Sequence, residues 1–137
     1  DLCFSNIMYQ EYNMKLRLID PRGGDLKSCF ISPYYDLAKL SHSLLGGYDH
    51  IVKNITDIYF DEKMQASLNL DYLQINHKIY FDSFLGRLNY QKILVDLVQI
   101  TLFTSMLPLH TENEKKVTML SLRACELLEA FQDEENK

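Results

Sequence analysis

The chain opens on a strand-like hydrophobic period and then passes into a helical one. In "MKLRLID", Leu16 and Leu18 alternate with Lys15 and Arg17, the two-residue repeat of a strand. "NIMYQ" precedes it across "EYN". The two segments predict a β-hairpin over residues 6–10 and 15–19, with Asn13 suited to the turn. "DPRGGD" then breaks the pattern with a proline and two glycines. Beyond it, apolar residues recur at helical spacing. Ser32 and Pro33 suit an N-cap and first position for a helix over about 33–45. Leu37, Leu40, Leu44 and Leu45 stripe that helix, and Gly46-Gly47 ends it. Further helices are predicted over 72–85, 90–106 and 112–131, the last opened by a Thr111/Glu114 capping box. "DIYF" and "SLNL" read as short strands. The expected fold is α+β and mostly α, a hairpin followed by a helical subdomain.

Composition removes several function classes. A net charge of −5 with scattered Lys and Arg argues against a nucleic-acid partner, which needs a clustered basic face. Cys3, Cys29 and Cys125 form no CxxC pair and no zinc spacing, so reduced thiols in a cytoplasmic protein are expected. No signal-peptide pattern is present. "ILVDLVQITLF" carries Asp96 and Gln99 and is too short to span a bilayer, so a buried helix and no membrane span are expected. The five glycines build neither GxGxxG nor GxxxxGK[ST].

The hairpin organises the chemistry. If it turns around residues 12–13, Asn6 lies opposite Ile19 or Asp20, and facing residues sit roughly 4.5–5.5 Å apart. One magnesium ion, with metal–oxygen bonds of about 2.1 Å, reaches both side chains at that spacing. Asp1 precedes the strand closely enough for its loop to curl over the same end. Phosphoryl transfer needs this set: one aspartate for the attacking hydroxyl's proton, and an Asn with an Asp to hold magnesium against nucleotide phosphates. Asp-x4-Asn spacing recurs at Asp49/Asn54 and Asp71/Asn76, so the hairpin context and not the spacing carries the signal. The residues alone leave open a frayed Asp1 and a solvated Asp20-Pro21 turn.

"DLCFSNIMY" followed by "LIDPRG" closely resembles the catalytic loop and metal-binding segment of the aminoglycoside phosphotransferase and choline kinase-like family. These are small-molecule kinases related in fold to protein kinases. "YYDLAKL" is similar to the helix after that segment. The Asp-Pro-Arg-Gly variant resembles phosphotransferase-type proteins of bacterial capsular polysaccharide biosynthesis. The resemblance covers residues 1–40. It implies a protein-kinase-like C-terminal lobe over 1–137, with Asp1 as catalytic base and Asn6 and Asp20 as magnesium ligands. Asp36 would support the loop, and Arg22 would meet a phosphate or pair with a neighbouring carboxylate. It also implies ATP as co-substrate, a small-molecule hydroxyl acceptor (sugar, amino sugar or amino alcohol), and an N-terminal nucleotide-binding lobe missing from this chain. The chain begins at the aspartate of the family's His-Gly-Asp triplet, so the histidine is absent, and the isolated lobe is expected to be inactive. The alternative expectation is a non-catalytic, pseudokinase-like binding or scaffold module.

Other residues carry blander expectations. His42 is expected to be an ordinary, partly buried helix residue, and His110 to mark a helix boundary. Cys3 is expected to pack structurally. The tyrosines are expected in core and rim, and acidic residues such as Asp71 and Asp82 on a solvated face.

Overall fold

A computed structural model describes residues 1–21, 32–70 and 75–136. Arg22, Cys29 and Asp71, and the expected helix start at residues 72–74, lie outside the described residues. The fold is α+β and mostly helical. Strands β1 (Ile7–Gln10) and β2 (Lys15–Leu18) pair antiparallel, followed by helices α1 (Pro33–Leu44) and α2 (Tyr48–Val52). A second small hairpin joins β3 (Ile58–Phe60) to β4 (Ala66–Leu68). Helices α3 (Ile75–Arg87), α4 (Lys92–Met106) and α5 (Glu114–Glu135) complete the chain.

Two apolar clusters flank α4. On one side Val95 and Leu102, seven residues apart, bury with Leu37 and Ala38 of α1 and Phe81 and Leu85 of α3. Phe103, turned to the other side, buries with Ile51, Leu68, Met119, Leu120 and Ala124. Burying each large apolar side chain is worth about 1.5–3 kcal/mol, so this helix contributes to both clusters. It also holds a buried polar pair, in which Ser41 Oγ donates to Gln99 Oε1 at 2.7 Å. The helical stretch runs past the apolar run read from sequence. With the 3₁₀ turn Leu107–His110 it makes 19 residues, Lys92–His110, long and apolar enough to cross a membrane by length and composition. That corrects the expectation that it is too short.

Gly46 is dictated by packing. A Cβ there would lie 2.6 Å from His42 O, 2.8 Å from Phe103 Cε2 and 2.9 Å from Gln99 Nε2. Around it, Arg123 seals the end of α1, donating from Nε to Gly46 O and from Nη2 to Leu45 O, both at 3.0 Å. Gly46→Ala is expected to cost about 1–3 kcal/mol by overpacking. Denaturant unfolding measures this, and an unchanged midpoint would refute it.

Local chemistry departs from expectation in four places. The N-cap of α5 is Asn113, whose Oδ1 accepts from Lys116 N at 3.1 Å, and not Thr111. The β1–β2 connection is a 3₁₀ turn, Glu11–Asn13, and Met14 (φ 52°), not Asn13, takes its left-handed position. Asn13 Oδ1 instead accepts from Lys15 N at 3.2 Å. Helix α2, five residues after Gly47, was not expected. His42 is completely buried, with neither ring nitrogen hydrogen-bonded.

Candidate functional site

The first hairpin stands off the helical body, with β2 exposed along its whole length. Its register pairs Ile7 with Leu18 and Tyr9 with Leu16, which gives one wholly apolar face. Met8/Arg17 and Gln10/Lys15 form the other face. A two-stranded ribbon is marginal alone in water, so its root must be tied down. Phe4 N donates to Ser43 Oγ of α1 at 3.2 Å, and Ile19 N donates to Asn6 O at 3.0 Å. The second bond extends the ladder by one pair, so Asn6 faces Ile19, the residue before Asp20.

Asp1 sits at the start of α1. Its main-chain nitrogen, an ammonium in this chain, donates to Asp36 Oδ1 at 2.7 Å. Its carbonyl accepts from Asn6 Nδ2 at 2.8 Å. Its carboxylate oxygen Oδ1 is shielded from solvent and lies 3.3 Å from Lys39 Nζ. Lys39 is 7% exposed, and sequence reasoning missed it. Its position on α1, three residues after Asp36, puts the two on one helix face. That spacing is the signal that was available.

The loop thus gathers Asp1, Asn6, Asp36 and Lys39. Asp20 has a left-handed backbone (φ 49°) and is exposed just beyond β2. Among the described residues no hydrogen bond or ion pair joins it to Asp1 or Asn6, and Arg22 lies outside the described residues. The donor set suits magnesium. Asn6 spends its amide nitrogen on Asp1, which leaves its carbonyl oxygen as an acceptor, and Asp20 supplies a carboxylate. Among the described residues no three His, Cys, Asp or Glu side chains group as a metal site. Magnesium needs fewer, since it keeps several waters. Cys3, half-buried, has its Sγ 3.1 Å from Ser5 Oγ, and Cys3 and Cys125 are free thiols.

Hollows open at two places on the described residues. A small one of about 170 Å³ lies against the loop, lined by Phe4, Ser5, Asp49, His50, Lys53 and Ile55. A larger cleft of about 380 Å³ opens among α3, α4 and α5, with Leu45, Ile100, Leu127 and Phe131 in its apolar wall. At its rim Lys92 bridges Asp96 and Glu134, and Glu134 also pairs with Lys78 at 3.3 Å. Burial alone would lower the Lys92 ammonium, but its bonds to Asp96 and Glu134 outweigh that and hold it above its usual range. Burial raises the Asp96 carboxyl despite Lys92. The Tyr48 hydroxyl, 3.3 Å from His110 Nε2, is raised by burial and by the charge of Asp49.

No protein-family model, no curated protein and no solved structure matches this chain.

Proposed function

We propose that the chain is the catalytic, C-terminal lobe of a kinase-like phosphotransferase, which moves the terminal phosphoryl group of ATP to a small-molecule hydroxyl. One observation carries this reading. The hairpin register sets Asn6 beside the residue before Asp20, while the Asn6 amide is bonded to the carbonyl of Asp1. Three oxygen-bearing side chains of the kind phosphoryl transfer uses therefore belong to one loop and one strand end.

In this mechanism Asn6 Oδ1 and the Asp20 carboxylate would hold magnesium, which when bound offsets charge on the nucleotide phosphates. The apolar face of Ile7, Tyr9, Leu16 and Leu18 begins beside that rim and offers a flat seat for the base. Lys39 fixes Asp1 Oδ1, which leaves Oδ2 for the acceptor hydroxyl. The hydroxyl oxygen bonds to the terminal phosphorus as the bond from that phosphorus to its bridging oxygen breaks. The bridging oxygen keeps the electron pair on ADP, and the hydroxyl proton passes to Asp1. A nucleotide-covering lobe would come from elsewhere in the protein.

A non-catalytic binding module is the second reading. The Lys39–Asp1 pair favours it, because Lys39 already occupies one oxygen of the carboxylate that a general base would present. Both readings seat a nucleotide, and turnover separates them.

Manganese, a paramagnetic stand-in for magnesium, tests the site in this chain directly. With ATP present it should broaden the amide resonances of Asn6, Ile19 and Asp20, and Asn6→Ala or Asp20→Ala should abolish the effect. No broadening there in the unsubstituted chain would overturn the proposal.

A further inference from the structure

We infer that the outer edge of β2 takes up an extended segment of a partner protein as a third strand, and that this segment alternates apolar with acidic side chains. The docking does not depend on phosphotransfer. Hydrogen-bond phase fixes which groups of the hairpin face outward. Ile19 N donates to Asn6 O at 3.0 Å, which puts those two residues at a hydrogen-bonded position of the ladder. Along an antiparallel pair, bonded and non-bonded positions alternate. Met8/Arg17 and Gln10/Lys15 are therefore bonded positions, and Ile7/Leu18 and Tyr9/Leu16 are not. The N–H and C=O groups of Leu16 and Leu18 consequently point away from β1. All four β2 residues are exposed, Leu16 at 67% and Leu18 at 63%. The sheet ends there, with two strands. A row of unpaired donors and acceptors on an exposed strand is a template for another strand. The opposite edge is poorer, because Ile7 at the root of β1 is half-buried and β1 carries no charge.

Side-chain chemistry selects the partner. Lys15 and Arg17 lie on one face of β2, Leu16 and Leu18 on the other. Neither cation makes an ion pair within the described residues. A strand laid on this edge sets one side chain beside each of the four. Acidic residues beside Lys15 and Arg17, and apolar residues beside Leu16 and Leu18, satisfy both faces. The two-residue period of a strand then requires the two kinds to alternate. A second copy of β2 fits poorly. Antiparallel pairing of Leu16 with Leu18 of the other copy sets Arg17 against Arg17, and pairing Leu16 with Leu16 sets Lys15 against Arg17. Like charges directly opposite are destabilising. The cations that keep two copies apart are the ones an acidic strand would pair with. A nucleic acid could meet the cations but brings no row of amides to complete the ladder. Main-chain bonds supply the affinity of such strand addition, and alternate side chains its specificity.

A short synthetic peptide of alternating valine and glutamate, titrated into the chain while amide hydrogen exchange is followed residue by residue, tests the edge. Exchange at Leu16 and Leu18 should slow saturably, while Met8 and Arg17, already bonded across the hairpin, should change little. The counterpart of alternating valine and lysine should bind about tenfold more weakly, because both charge pairs become repulsive. Leu16→Pro removes one outward N–H and spares the ladder to β1, so it should weaken binding about five- to tenfold, the worth of one hydrogen bond. Leu16→Ala trims the same side chain but keeps the N–H, and should weaken it less. The double variant Lys15→Glu/Arg17→Glu, changed only at exposed positions, should reverse the preference and take the lysine peptide over the glutamate one. No slowing at Leu16 and Leu18 with the glutamate peptide, or a preference that does not reverse, would overturn the inference. Slowing that grows with protein concentration in the absence of peptide would give the edge to a second copy and overturn it as well.

Discussion

Between pH 6.5 and pH 4.5 the folded chain is expected to lose about 2–3 kcal/mol through one residue, His42. The ring is completely buried, stacked on Tyr48 at 4.3 Å and tilted against Phe103 at 4.1 Å, with no hydrogen bond at either nitrogen. Burial first, and then the charge of Lys39, push its pKa from 6.5 down to about 3. The unfolded chain binds a proton at this position below pH 6.5, and the folded chain does not until about pH 3. Stability is therefore whole above pH 6.5 and falls as pH drops toward 3, by about 1.4 kcal/mol per unit. Carboxylates add their own acid dependence, so the measurement is a difference. Denaturant unfolding of His42→Leu should lack this slope between pH 6.5 and 4.5. At neutral pH His42→Leu should also be the more stable, since two unpartnered buried nitrogens are removed. A variant whose stability tracks the parent across that range would show that the ring is not buried neutral.

Local patterns were legible where one period ran uninterrupted. The alternation of Leu16 and Leu18 fixed β2, and turn length then fixed the register that brings Asn6 opposite Ile19. Ser32-Pro33 and Gly46-Gly47 bracketed α1 because a missing N–H and a missing Cβ are strict local demands. Asn113 won over Thr111 by competition. Both precede the same helix, and two residues decide which oxygen reaches an orphan amide. Lys39 and Asp49 were not legible, for a different reason. A lysine or aspartate on an amphipathic helix reads as solvated, and only tertiary contact shows otherwise. Asp1 lies 38 residues from Lys39, and Phe4 lies 45 residues from Asp49. Nor did helical spacing foresee that α4 would send the adjacent residues Leu102 and Phe103 into two different clusters.

Asp1→Asn should lower ATP turnover by about 100–10,000-fold in protein that carries the nucleotide lobe, the range a positioned general base contributes. KM for the nucleotide should change little, because Asn6 and Asp20 hold the metal and the Asn6 bond goes to the Asp1 main chain. The substitution has a second consequence that must be separated from the first. Lys39 is buried against Asp1 Oδ1, so removing the carboxylate leaves an ammonium without its partner. Breaking a fully buried pair costs about 3–5 kcal/mol. The Asp1 side chain is 23% exposed, so a smaller loss is expected here, visible in a thermal melt. Lys39→Met in the same protein removes the stranded charge. The double variant Asp1→Asn/Lys39→Met should therefore recover stability and stay inactive. If it recovers turnover as well, the single variant failed by misfolding and Asp1 is structural. If Asp1→Asn keeps more than about a tenth of turnover, a gap under 1.4 kcal/mol in barrier, the proton goes elsewhere and the loop is a binding element without a base.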